Sequence, residues 1–200
     1  MDGVPIYTIG YGNRSVEEFV ALLQHYHIQY LVDVRSQPYS RYSPAFSRNL
    51  LVQYLQQQSI DYLFMGDTLG GRPADATCYV DGKVDYSRVC TKAFYQQGIQ
   101  RLRTAWEKQL RVVLLCAEAK PQECHRSKLI GNTLFEQQIA VAHIDEMGEC
   151  KTQPEINQLL LGGQPTLFED VPAVELSGKL GRARARAHKK RHLPQADQLD

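Results

Sequence analysis

Five consecutive apolar residues, Val112 to Cys116, carry no polar position to set on a solvent face. A strand of that kind is buried on both sides, as strands of a parallel sheet under helices are. A polar turn, Ala117 to Pro121, follows, and then a segment with helical character. Proline is favoured in a helix's first turn, so a start near Pro121 is expected, with Cys124, His125 and Arg126 at the N-terminal end. Unpaired backbone N–H groups and the helix dipole favour an anion there, whether phosphate or thiolate.

The rest of the chain repeats the same alternation. Pro5 to Ile9 reads as a strand closed by the turn Gly10-Tyr11-Gly12-Asn13, and Ser15-Val16-Glu17-Glu18 is a capping box opening a helix with Phe19, Leu22, Leu23 and Tyr26 at helical spacing. Tyr30 to Val34 is a second strand with Arg35 at its end, and the polar stretch Ser36 to Pro44 is an irregular loop. Asn49 to Gln58 is helical and Asp61 to Met65 a third strand. The glycine pair before Arg72 begins a long connection, with a hairpin at Asp81-Gly82. That connection reads either as a lid or as an ordered surface insertion. Ser87 is placed to cap a helix reaching about Lys108, with a break at Gly98. Leu129 to Gln138 continues the helix after the central strand, Ile139 to Ile144 is a fifth strand, and Gly162-Gly163 and Pro165 mark the end of regular structure.

The expected fold is therefore a single α/β domain over residues 1–165, a mostly parallel five-stranded sheet flanked by helices with irregular loops at its carboxyl edge. Residues 166–200 are expected to be extended or disordered. They include a basic arm, 178–192, with seven Lys or Arg and no acid, leaving 16 of the 23 basic residues against 22 acids elsewhere. Such an arm is either solvated or a polyanion contact. No stretch of 18 apolar residues suggests a membrane span, and five irregularly spaced cysteines suit reduced thiols in a cytoplasm better than a disulfide framework.

In a parallel sheet, ligands bind beyond the carboxyl ends of the strands. The chemistry-bearing residues gather at such ends: Tyr11 and Asn13, Asp33 and Arg35, Asp67 and Arg72, Cys116 and Glu118, His143 and Asp145.

Thr8-Ile9-Gly10, Val32-Asp33-Val34-Arg35 with Pro38, Ser40-Arg41 and Pro44, Leu69-Gly70-Gly71-Arg72-Pro73, Leu115-Cys116-Ala117-Glu118 with Pro121, Cys124-His125-Arg126, and Val141-Ala142-His143-Ile144 together resemble the bacterial and archaeal family named domain of unknown function 488. The resemblance spans about residues 6 to 146. Relatives carry His-Ser directly after Thr-Ile-Gly, where this chain has Tyr11-Gly12. The resemblance implies a single α/β domain and supplies no activity.

Three readings of the chemistry follow. In the first, an enzyme acts on a phosphate-bearing, nucleotide-like or nucleic-acid substrate: Arg35, Arg41, Arg72 and Arg126 converge on an oxyanion, and Cys116 or Cys124 is a nucleophile with His125 as base and Glu118 nearby. No cofactor is needed for it, and the five-residue spacing to an arginine that marks cysteine phosphatases follows neither cysteine. In the second, Cys116, Cys124 and His125, with or without His143, are zinc ligands, although neighbours Cys124 and His125 would diverge on a helix. In the third, a non-catalytic module binds nucleic acid through the same arginines and the basic arm. Cys116 at a strand end is equally readable as an inert buried thiol.

Overall fold

A computed structural model describes residues 3–161. The basic arm, Gly162-Gly163, Pro165 and the expected domain boundary lie outside the described residues. Six strands form one sheet: β1 (Ile6–Gly10), β2 (Tyr30–Asp33), β3 (Asp61–Phe64), β6 (Val112–Cys116), β7 (Val141–Ile144) and β8 (Cys150–Thr152), in the order β3-β2-β6-β1-β7-β8. All pairings are parallel except β7 with β8. The two-residue strands β4 (Tyr79–Val80) and β5 (Lys83–Val84) make the expected hairpin.

The apolar run is the centre of this sheet, every residue of β6 being buried. Its side chains feed two cores in alternation. Val113 and Leu115 join Phe19 and Leu23 of α1 (Val16–His25) and Leu51 and Leu55 of α2 (Arg48–Gln56), while Val112 and Leu114 meet Ile99 and Leu102 of α5 (Ala93–Glu107) and Leu134 of α6 (Asn132–Glu136). Burying one such aliphatic side chain contributes about 1.5–3 kcal/mol, so this strand anchors both layers.

Several expectations are corrected. The sheet has a sixth strand, and α7 (Gln153–Leu160) follows it under a capping box between Thr152 and Glu155. Asp85, not Ser87, caps α4 (Tyr86–Cys90); the break falls at Thr91 and Lys92, and Gly98 lies inside α5. A β-carbon on Gly98 would come within 2.7 Å of Leu69 Cδ2, so this glycine serves close packing with α3 (Gly66–Leu69). Pro121–Glu123 is a single 3-10 turn, Cys124 is extended (φ −115, ψ 149), and the long helix starts only at His125, widening to a π turn over Arg126–Gly131 before α6.

The adjacent strands β1 and β6 send their following helices to opposite faces, α1 into one core and α6 into the other. Such a divergence opens a crevice at the carboxyl ends of the strands. Beneath it lies a buried polar cluster. His143 Nε2 is 2.7 Å from Gln153 Oε1 and His143 Nδ1 is 2.7 Å from Thr8 Oγ1. Gln153 spends its amide hydrogens on Asn132 and Asn157, so its oxygen accepts from His143 Nε2–H, and Nδ1 accepts from the Thr8 hydroxyl.

Burial pushes the His143 pKa from 6.5 down to about 4; the Gln153 bond works the other way and the charge of Arg126 assists the fall. The unfolded chain takes up this proton near pH 6.5 and the folded chain only near 4, so the stability is present above 6.5 and is lost as pH falls toward 4. The loss should reach about 3 kcal/mol. Urea unfolding between pH 7 and 4 checks it: the slope should be shallower in His143→Gln, and an equal slope would assign the acid sensitivity elsewhere.

Candidate metal centre

The crevice is a cavity of about 500 Å³, walled in part by Tyr11, Arg35, Tyr39, Arg72 and Tyr86 and floored by Cys116, Glu118, Cys124 and His125. Cys116 ends the central strand, where backbone bonds from Tyr11 N to Cys116 O (3.2 Å) and Gly12 N to Ala117 O (2.9 Å) prolong the β1 pairing into the turn. A β-carbon on Gly10 would stand 1.7 Å from Glu118 O, so the absence of a side chain there lets the turn fold down onto β1. Cys124 and His125 arrive from the other side. Because Cys124 is extended while His125 begins the helix, the two neighbouring side chains converge on one point.

One donor atom from each of Cys116, Glu118, Cys124 and His125 falls within 4.8 Å of every other, a group able to hold a metal ion. Both thiols donate to Glu118 Oε2, Cys116 Sγ at 2.7 Å and Cys124 Sγ at 3.1 Å. His125 Nδ1 stands 3.6 Å from Cys116 Sγ and 3.7 Å from Cys124 Sγ. The other ring nitrogen, Nε2, is 3.2 Å from the Val34 carbonyl, which can only accept, so Nε2 carries the hydrogen and Nδ1 turns a lone pair toward the sulfurs. A carbonyl behind a histidine ring in this way is the usual second partner of a metal-ligating imidazole. The ring is also clamped from the glycine-rich loop, since a β-carbon on Gly71 would be 2.8 Å from its Cγ and Nδ1. Finally, Arg126 N–H points at Cys124 Sγ across 3.4 Å.

The charges at the floor are tightly coupled. Its hydrogen bond with Cys124, reinforced by burial, raises the Cys116 thiol well above its ordinary value against the influence of His125. Burial pushes the Glu118 carboxyl up, but the bonds from the two thiols outweigh it and bring its pKa below the usual carboxylate value. Burial also opposes a charge on His125, yet Cys116 and Glu118 leave its pKa raised.

The four arginines do not meet. Arg35, 5% exposed, is locked on fully buried Asp33: Nε to Oδ1 at 2.8 Å and Nη2 to Oδ2 at 2.6 Å, with Nη1 on Phe46 O at 2.8 Å. Arg126 is fully buried beneath the floor, donating to Ala119 O at 2.8 Å and reaching Thr8 Oγ1 and Ile144 O at 3.5 Å. Arg41 is exposed and is not among the residues lining the cavity. Arg72 lines it, held by its backbone N–H on Ser36 Oγ at 2.9 Å. Asn13 and Asp67 are exposed away from the cavity, Asp145 closes a turn by accepting from Met147 and Glu149, and His143 belongs to the buried cluster below. Gly71 joins the cavity from the glycine pair that the sequence marks, and Tyr86, the first residue of α4, joins it without a sequence signal of its own.

The chain belongs to the family described as domain of unknown function DUF488, which matches residues 15–132. No curated protein matches the chain. Among the described residues, no helix is long and apolar enough to cross a membrane.

Proposed function

We propose that this DUF488 protein is a zinc-dependent enzyme, with Cys116, Cys124 and His125 holding the ion at the floor of its cavity. One observation carries the reading. Zinc bonds of about 2.3 Å to sulfur and 2.0–2.1 Å to nitrogen, at tetrahedral angles, set sulfur and nitrogen about 3.6 Å apart. His125 Nδ1 lies 3.6 and 3.7 Å from the two sulfurs. Thiolate with imidazole is a donor set that selects zinc over magnesium or calcium. His143, an optional further ligand in the sequence reading, is bonded to Thr8 and Gln153 instead, and Glu118 is the fourth member of the donor group.

A metal-free nucleophile at Cys116 is less well supported, because its hydrogen bond with Cys124 and its burial raise that thiol's pKa and disfavour the thiolate. Zinc binding would instead expel the thiol protons. The expected phosphate-bearing or nucleotide-like substrate narrows to one cation, Arg72, since Arg35 is neutralised by Asp33 and Arg126 is beneath the floor.

Purification without a metal-binding tag, followed by elemental analysis, tests the proposal. About one zinc per chain is expected, lost from Cys124→Ser and from His125→Ala and kept by Arg41→Ala. Absence of metal from protein grown with ample zinc, or metal that survives Cys124→Ser, would remove the reading.

A further inference from the structure

We infer that the loop over residues 36–44 is a stacking platform for single-stranded nucleic acid, set at the mouth of the cavity. It displays the two most exposed aromatic side chains among the described residues, Tyr39 at 72% and Tyr42 at 94%. Among those residues neither ring packs on another and neither hydroxyl has a hydrogen-bond partner. Tyr39 also lines the cavity.

The rings stand out from a loop that is fixed by its own bonds. Buried Ser40 accepts the Ser43 N–H on its hydroxyl at 3.1 Å and gives its own N–H to Ser47 Oγ at 3.1 Å, and Arg48 N–H closes onto Pro38 O at 2.9 Å. Buried Phe46 pins the far end, stacked on Tyr11 at 4.4 Å and edge-on to Phe19 at 5.2 Å, while Arg35 Nη1 holds its carbonyl at 2.8 Å. Pro38 and Pro44 restrict the backbone further. Such a backbone has little freedom left to lose when a flat partner covers the rings, which favours binding.

Charge selects the partner. Residues 34–60 contain no Asp or Glu, although the chain has 22. The carboxylates that line the cavity, Glu118 and Glu123, come from the segment after β6 and not from this loop. Arg41, Arg48 and Arg72 are exposed and, among the described residues, none is paired with a carboxylate. Arg41 lies between the two tyrosines, Arg48 is bonded to Pro38 through its backbone and Arg72 to Ser36, so all three border the loop. Tyr39 and Tyr42 are three residues apart, at most about 10 Å along the chain. That is the length of about three stacked nucleotides at about 3.4 Å each. Exposed rings interleaved with cations suit a strand whose bases show bare faces and whose phosphates run beside them. The inference goes beyond the metal reading and stands without it, since none of these side chains belongs to the metal-binding group.

Fluorescence anisotropy with the full chain tests it on three probes: a six-nucleotide oligothymidylate, the matching oligouridylate, and an abasic strand with the same number of phosphates. Charge alone, including that of the basic segment 178–192, binds the abasic strand as well as the others. The base-bearing strands should bind at least about tenfold more tightly than the abasic one. That preference should vanish in the double variant Tyr39→Ala, Tyr42→Ala, with thermal unfolding unchanged, and persist in Tyr39→Phe, Tyr42→Phe. Arg41→Ala should make the slope of log affinity against log salt shallower by about 0.7, one phosphate contact on a single strand. A difference between oligothymidylate and oligouridylate would support the inference and name the sugar. Equal affinity for base-bearing and abasic strands, or a base preference that survives the double alanine variant, would overturn it.

Discussion

Alanine in place of Asp33 should destabilise the fold by about 3–5 kcal/mol, since removing one partner of a buried ion pair leaves the other charge stranded. Asp33 is fully buried, Arg35 is 5% exposed, and the carboxylate holds Arg35 by two side-chain bonds while also accepting from Tyr62 Oη at 2.7 Å. Its loss leaves two guanidinium donors and a phenol without their acceptor. Replacing the pair together, Asp33→Leu with Arg35→Met, should recover most of the loss, because a packed apolar pair avoids the desolvation of both charges. Chemical unfolding of the two variants measures this. A cost for Asp33→Ala below about 1 kcal/mol, the range of exposed pairs, would mean that water reaches Arg35, which would return it to the list of anion-binding candidates.

Gly10→Ala should cost at least about 3 kcal/mol, at or beyond the upper range for overpacking, and should also reduce metal uptake. The added carbon would stand 1.7 Å from Glu118 O and 2.6 Å from Glu118 C, both backbone atoms that no rotamer change can move aside. Either β1 or the turn carrying Cys116 and Glu118 must shift. Gly82→Ala is the contrast: φ is +74 there, but nothing lies within 4 Å, so only the left-handed backbone is penalised, by about 1 kcal/mol. Thermal unfolding and metal content of both variants check the pair. Similar, small effects would show that the turn over β1 yields easily.

Much of the fold was legible because its strands are short apolar runs between strong punctuation. The strand at Val112–Cys116, the capping box at Ser15 and the hairpin at Asp81-Gly82 each announce themselves locally, and each is present. β8 was not legible, being three residues, Cys150–Thr152, with two of them exposed on a sheet edge. The start of α7 carried a readable signal in Thr152 and Glu155 with an intervening proline, which the fading apolar pattern beyond Ile144 obscured.

At the site, the membership of Cys116, Glu118, Cys124 and His125 was visible, but not how they meet. Adjacent cysteine and histidine diverge within a regular helix, and the change from extended backbone at Cys124 to helical at His125 removes that objection. The arginines misled for a different reason. Their spacing reveals positions at strand and helix ends, whereas burial decides their role: Arg35 turns inward to Asp33 and Arg126 passes under the floor.

X-ray absorption at the zinc edge on the tag-free protein tests the central claim most directly. Two sulfur scatterers at about 2.3 Å with one or two nitrogen or oxygen atoms near 2.0 Å are expected, falling to a single sulfur or to no bound metal in Cys124→Ser. A zinc shell made only of nitrogen and oxygen, or protein with no zinc to absorb, would contradict a centre built on Cys116, Cys124 and His125.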